Sequence, residues 1–371
     1  MLFGRFPKWL MLILFLFAVW LPLVIMVLTP AQSVSEIEKR KLRPFPELKL
    51  QKLVNFPSSF EAYYNDHFGL RRPLIRWYNH VRVVGLGVSD SKWVLIGKDG
   101  WLFQNAPIHL GDMRNAWPFS PGELHHWAKM LSLKQEWLKQ QGIHYLFVFA
   151  PSKHLIYPEK LPLSVNRVSP LSRLDQLVDY LKQNTKVNFL DLRPVMLEAK
   201  PHLRPYHKTD THWNDYGAFL AYRTVMEYLK KELPNIPVLP LTPNDFMKVK
   251  RLGGDLAQSL DLKESLTEIE IVPKEKVVRC GKNTDNKVLT ITEQNQQEFA
   301  TRCVNGKYRA LLFRDSYSVT MMPYLSESFE YIYYHPASPI PLKGLKHLVS
   351  KVKPNVVIEL RASRWLRTPE G

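Results

Sequence analysis

The chain has 371 residues, 45% hydrophobic and 23% charged, long enough for one large domain or two modest ones and too apolar for wholesale disorder. Its 51 Lys and Arg against 34 Asp and Glu give a formal net charge of +17, which favours anionic lipid, acidic polysaccharide or nucleic acid without choosing among them. Zinc-finger spacing, RNP-like aromatics and long basic blocks are absent, so nucleic acid is not the expected partner, and the two cysteines, Cys280 and Cys303, form no CxxC pair that would support zinc or redox chemistry.

Residues 9–29 read WLMLILFLFAVWLPLVIMVLT without a charge, a length that crosses the hydrocarbon core of a bilayer as a helix. Arg5 and Lys8 precede it, which keeps the N-terminus cytoplasmic. The run is longer than the apolar region of a cleaved signal peptide, and its one small-residue site, Thr29-Pro30-Ala31, carries a proline. The expectation is an uncleaved anchor in the inner (cytoplasmic) membrane, with the rest of the chain in the periplasm or otherwise outside the cytoplasm. That setting permits a Cys280–Cys303 disulfide, two buried free thiols being the alternative.

Residues 31–55 are charged and proline-punctuated, and read as a linker; residues 56–371 are expected to form the functional domain. A helical pattern covers residues 57–84, followed by a β-hairpin at 93–103 around Lys98-Asp99-Gly100. Ser120-Pro121-Gly122-Glu123 is a capping box for a helix that stops at Gly142. A buried strand at 143–150, a helix at 172–183, a strand at 187–192 and a helix at 216–233 follow. Strands at 308–313, 331–334 and 356–360 complete the set, with a helix at 319–327. Strands alternating with helices predict an α/β fold with a mostly parallel sheet covered on both faces.

Ligands of such sheets bind beyond the carboxyl ends of the strands. Ser316 sits where the 308–313 strand turns into a helix, which presents its hydroxyl at the sheet edge beside helix N-terminal amides that could receive an oxyanion. A capping role is the plainer alternative. Asp210 and His212 are two apart in KTDTHWNDYG, so one edge can hold both, with His212 taking a serine proton and Asp210 orienting its ring. Helix capping by Asp210 or Asn214 competes with that reading. A metal site through His207, Asp210 and His212 lacks a further strong ligand, and no metal or cofactor is expected.

Five segments, GKDGWLF (97–103), APSKHLIYPEKLP (150–162), DTHWNDYGA (210–218), GGDLA (253–257) and LLFRDSYS (311–318), together resemble the AlgX/AlgJ family of SGNH-hydrolase-like polysaccharide O-acetyltransferases. The resemblance spans residues 56–361. It implies a three-layer SGNH-like domain, with Ser316 as nucleophile, His212 as base and acid, and Asp210 as its orienting partner. It also implies a polysaccharide acceptor and a membrane-bound O-acyltransferase that passes the acetyl group outward. Two alternatives remain open: a carbohydrate acetyl esterase with the same triad, and a non-catalytic polysaccharide-binding envelope protein. Arg314 departs from the glycine usual before Asp-Ser in alginate-acetylating members. Lys153, Tyr317 and Arg361 flank strand ends and are candidates for binding substrate, a packing role being the alternative for each.

Overall fold

In the computed structural model, helix α1 (Lys8–Leu28) takes up nearly all of the uncharged N-terminal run. Among the described residues it is the single helix long and apolar enough to cross a membrane. The described residues are 7–30, 32–35, 40–275, 298–336 and 339–367; Arg5 and Cys280 lie outside them. Two compact units emerge, Met1–Ser91 with Ala257–Leu266, and Lys92–Leu256 with Thr267–Gly371.

In the first unit, strands β1 (Val34–Ser35) and β2 (Arg40–Lys41) pair antiparallel ahead of helices α2 (Phe56–His67) and α3 (Arg71–His80). A single π-turn, Val81–Gly85, extends α3. The sequence pattern predicts one helix across 57–84; the structure breaks it at Phe68-Gly69-Leu70. The reason is close packing on α1: a methyl group on Gly69 would lie 2.7 Å from the Met26 amide nitrogen and closer still to the Pro22 carbonyl.

The second unit begins with strands β3 (Val94–Ile96) and β4 (Leu102–Gln104), an antiparallel hairpin with Asp99 at φ 54 in its turn. Helices α4 (Pro107–Met113) and α5 (Pro121–Gln140) follow, the latter with the expected Ser120–Glu123 capping box. Then come β5 (His144–Ala150), α6 (Lys153–Ile156), α7 (Arg173–Asn184), β6 (Phe189–Asp191), α8 (Arg193–Ala199) and α9 (Asp215–Leu229). Strands β7 (Phe246–Arg251) and β8 (Glu268–Pro273) pair antiparallel, with the short α10 (Asp255–Ser259) between them in sequence. The chain closes with β9 (Phe299–Arg302), β10 (Arg309–Phe313), α11 (Ser318–Ser328), β11 (Tyr331–His335), α12 (Leu342–Val352) and β12 (Val356–Ala362).

Six strands form one sheet in the order β6-β5-β12-β10-β11-β9, parallel except at the β9 edge. Leu146, Val148, Leu312, Ile332 and Ile358 point into one core with α9 and α11 residues. Phe147, Phe149, Leu311, Tyr333 and Val357 point into the other with α5, α7 and α12. Burial on both faces is why β5, β10 and β12 read as continuous apolar runs instead of alternating ones. β12 carries two charged exceptions: Arg361, and Glu359, which is fully buried and bonded to Lys134 of α5 at 2.8 and 3.1 Å. This is a three-layer α/β/α sandwich. The carboxyl ends of β5, β10 and β12 lie side by side, which brings residues 151–153, 314–317 and 363–365 to one edge.

Candidate active site

The turn after β10 is held open by Asp315. Its carboxylate accepts from the Tyr317 amide at 2.9 Å and from the Ala362 amide at 2.6 Å, fastening the turn to the end of β12. Burial raises the Asp315 carboxyl above its ordinary value, against these donors. Ser316 projects outward and is exposed, while Tyr317 turns inward and is fully buried. The first amides of α11 are engaged locally: Ser318 N donates to Asp315 O at 3.2 Å and Val319 N to Ser316 O at 3.3 Å.

Asp210 and His212 come from a tight excursion between Tyr206 and Trp213, which pair as an isolated antiparallel bridge. His212 Nε2 lies 2.9 Å from Ser316 Oγ, and His212 Nδ1 lies 2.7 Å from Asp210 Oδ1. The structure therefore brings Ser316, His212 and Asp210 into one hydrogen-bonded line. Asp210 Oδ2 accepts from the Asp255 amide at 2.9 Å. Burial works to raise the Asp210 carboxyl, but the His212 hydrogen bond and charge outweigh it and hold it well below the usual carboxylate range. Gly254 explains the GGDLA segment: a side chain there would collide with Asp210, whose Oδ2 would lie 2.7 Å from the added carbon.

The other sequence candidates have different placements. Lys153 is buried, and its Nζ donates to the carbonyls of His207 (3.3 Å), Lys208 (3.1 Å) and Asp210 (2.7 Å). It thus braces the excursion that carries Asp210 and His212. Burial lowers its pKa to about 7, although Asp210, Asp255 and Glu268 pull the other way. The Tyr317 hydroxyl donates to Thr211 O at 3.0 Å, and its ring packs edge-on against His212 and Trp213. Arg361 is buried over the Trp127 ring and donates to the Trp365 carbonyl. The structure places none of these three charged or hydroxyl tips against Ser316 Oγ.

Arg364 is the group that sequence reasoning missed. Its Nη2 lies 3.5 Å from Ser316 Oγ, Nη1 donates to Gln104 Oε1 at 3.1 Å, and the guanidinium stacks over Tyr317. Position three residues beyond Arg361, past the end of β12, is the signal that could have found it. Asp255 was missed too: its carboxylate accepts from Thr211 N at 2.8 Å and Thr211 Oγ1 at 2.7 Å.

A pocket beside these groups is lined by Phe103, Met113, Lys153, Thr211, Leu256 and Arg364, among others. Two of its walls touch the triad, Arg364 at Ser316 and Thr211 at His212 Nδ1. Asp112 and His109 also line it; Asp112 is pushed up to about 6 and His109 down to about 4, both by burial. Donor atoms of Asp210, His212 and Asp255 fall within 4.8 Å of one another, a spacing a cation could use. Those atoms already hydrogen-bond one another and Thr211. His207 instead faces Glu268 at 3.9 Å and Glu270 at 3.6 Å.

The fold and the strand-end site define an SGNH-hydrolase-like protein. Bacillus cereus PatB1 superposes with a TM-score of 0.51 at 18% identity, over 74% of this chain and 96% of that one. The O-acetyltransferase domain of Pseudomonas putida AlgJ aligns at a TM-score of 0.45 and 20% identity, over 75% and 94% of the two chains. Residues 94–301, more than half of the chain, match the family described as SGNH hydrolase-like domain, acetyltransferase AlgX, and the chain belongs to that family. That match includes Asp210 and His212 and stops short of Ser316. A probable alginate O-acetylase AlgJ of Pseudomonas aeruginosa is 27% identical over 209 residues, covering 55% of this chain and 48% of the relative. The chain thus spans about half the length of the curated relative it matches.

Proposed function

We propose that the protein is a membrane-anchored, extracytoplasmic O-acetyltransferase that moves an acetyl group onto a hydroxyl of an exopolysaccharide or envelope glycan. The observation that carries this reading is the 2.9 Å and 2.7 Å chain of contacts from Ser316 through His212 to Asp210. Family membership and the resemblance to an alginate O-acetylase support the acyl group and the polysaccharide acceptor. The long apolar α1 supports a signal anchor in the inner membrane. Acetyl-CoA is not supplied on that side of the membrane, so the donor is an acetyl ester or thioester presented by a membrane-bound O-acyltransferase.

In this mechanism Ser316 Oγ attacks the donor carbonyl carbon while His212 Nε2 takes the hydroxyl proton. Asp210, ionised across the working pH range, holds the ring so that Nε2 faces the serine and offsets the imidazolium charge. The carbonyl oxygen becomes an oxyanion. Arg364 Nη2, 3.5 Å from Ser316 Oγ, donates to it in addition to any backbone amide of the turn. Collapse breaks the donor bond, His212 returns the proton to the leaving oxygen or sulfur, and an acetyl-Ser316 ester remains. The glycan hydroxyl then attacks that ester as His212 accepts its proton, and Ser316 leaves reprotonated. The small apolar wall of Phe103, Met113 and Leu256 supports a short acyl group. Because Ser316 is exposed, water can also accept the acetyl group, which is the esterase reading of the same site.

Acetyl-ester turnover measured with and without added glycan separates the two. Ser316→Ala and His212→Ala should each abolish turnover and leave the thermal midpoint nearly unchanged, since Ser316 contributes little to the core. Retained turnover in either variant ends this proposal.

A further inference from the structure

Helix α3 of the first unit is amphipathic and has no buried residue. Its polar side is turned to the protein: Arg72 and Arg76 reach the buried Asp261 at 3.2 and 3.1 Å, and Asn79 donates to Leu260 O at 2.8 Å. His80 meets Ser265 at 3.2 Å. The opposite stripe is apolar and bare. Leu74, Trp77, Tyr78, Val81 and Val84 are 51%, 67%, 47%, 41% and 50% exposed. Their spacing of three and four residues makes one continuous helical face. A helix in water ordinarily turns such a stripe inward; one that bares Leu74, Trp77 and Val81 together while its polar side is tied to Asp261 has its apolar side toward a non-aqueous medium.

The position of the α2–α3 turn says which medium. Gly69 lies against Pro22, Ile25 and Met26 of α1, so closely that a methyl group would clash with all three. Those residues stand two to six positions before Leu28, the outer end of the helix, which is roughly 3–9 Å along the axis. Amphipathic helices that lie in a membrane surface bury their apolar face by about 5–10 Å. The depth at which α1 holds the turn therefore matches the boundary between headgroups and acyl chains. The surrounding charge also fits: Arg72, Arg76 and His80 line an open groove with Trp77, and cationic side chains beside an apolar stripe suit phospholipid headgroups.

We propose that α3 is an interfacial helix whose Leu74–Val84 stripe is seated in the outer leaflet of the membrane that α1 spans, with phospholipid as its partner. The proposal rests on α1 being a membrane anchor. The full chain, reconstituted at one copy per phosphatidylcholine nanodisc, tests it through single spin labels at Leu74→Cys, Trp77→Cys and Val81→Cys. Among the described residues no cysteine is free, and labelling of the parent chain gives the background against which each added thiol is read. Side chains this exposed can be replaced without disturbing packing. Labels at Leu16→Cys in α1 and at Lys129→Cys on the exposed side of α5 give the lipid and water references.

The expected result is that all three stripe labels collide more with oxygen than with a water-soluble nickel chelate, as Leu16→Cys does, and that Lys129→Cys shows the reverse. Stripe labels as open to the chelate as Lys129→Cys, with Leu16→Cys protected, overturn the proposal and leave the anchor standing. Chelate access at Leu16→Cys removes the anchor and the proposal together. Protection that arises only when several copies share a disc assigns the stripe to a second copy of the chain and likewise overturns it.

Discussion

Gly254→Ala isolates the orientation of the triad from its chemistry, because the three atoms nearest the added methyl all belong to Asp210. The new carbon would lie 2.9 Å from Asp210 Cα and 2.7 Å from Oδ2, with Asp210 Cβ nearer still. Carbon atoms rest at about 3.5 Å or more, so Asp210 must withdraw by on the order of 1 Å. The obstacle is backbone and Cβ, which cannot swing aside as a long side chain would. Asp210 then loses its 2.7 Å hold on His212 Nδ1 or the Asp255 amide. Misplacement of a catalytic group by about 1 Å costs roughly 100-fold in rate, and outright loss of the orienting carboxylate about 10⁴-fold. The expectation is thus a kcat lower by 10²- to 10³-fold, about 2.7–4 kcal/mol of barrier, with KM for a small acetyl ester little changed. Overpacking a half-buried site lowers stability by about 1–3 kcal/mol, so a thermal melt must accompany the assay. A folded Gly254→Ala enzyme with kcat within threefold of the parent would refute the orienting role of Asp210.

Removing the guanidinium in Arg364→Ala should reduce kcat by about 10²- to 10³-fold, the effect of losing one oxyanion donor, with partial recovery in Arg364→Lys; an equal loss carried entirely in KM would point to substrate binding instead. Lys153 predicts a pH dependence of stability, read by thermal melts from pH 6 to 10. Its pKa is lowered from 10.5 to about 7 by burial, so between those values the unfolded chain holds the extra proton. Stability present above the unfolded pKa is lost as pH falls from about 10 to about 7, by a few kcal/mol at most, and Lys153→Met should remove that slope. Lys134→Met leaves Glu359 buried without its 2.8 Å partner and should destabilise the fold by about 3–5 kcal/mol in denaturant titrations, whereas pairing it with Glu359→Leu should recover most of the loss.

The parts of the fold that could be read in the sequence are those whose physics is local. β5, β10 and β12 lie inside the sheet with both faces buried, so their residues are mostly apolar, Glu359 and Arg361 of β12 being paired inside the fold. The Ser120 capping box and the Ser316 strand-to-helix turn are likewise short-range signals. β9 carries no such signature, because FATR is a four-residue edge strand of mixed polarity. In β7 most residues are exposed and in β8 two buried residues, Glu268 and Glu270, are charged, so apolarity does not mark either strand. α12 has a legible stripe in Leu345, Leu348, Val349 and Val352, which Gly344 and four basic residues obscure. Pro57 to Val84 reads as one helix because the reason for its break, the backbone of α1 at Gly69, is some 43 residues away.

The site follows the same division. Asp210, His212 and Ser316 are recognisable because each depends on its immediate neighbours: an acid two residues from an imidazole, and a serine at a strand end. What makes them a unit is distant in sequence and was not readable. Lys153 neutralises three carbonyl oxygens on the inner side of the excursion. Glu268, which binds the Lys208 and Thr209 amides at 2.7 and 3.1 Å, pins its outer side. Arg361 and Arg364 illustrate the limit most sharply. Both follow β12 closely and both are buried, yet alternation along the strand sends Arg361 under the sheet to Trp127, while the turn after Ala362 swings Arg364 over Tyr317 to the serine. The spacing in ELRASRW is compatible with either arginine at the nucleophile. The choice is made by Asp315, whose 2.6 Å bond to the Ala362 amide fixes where the strand ends. One half-buried carboxylate therefore both opens the turn that exposes Ser316 and determines which cation faces it.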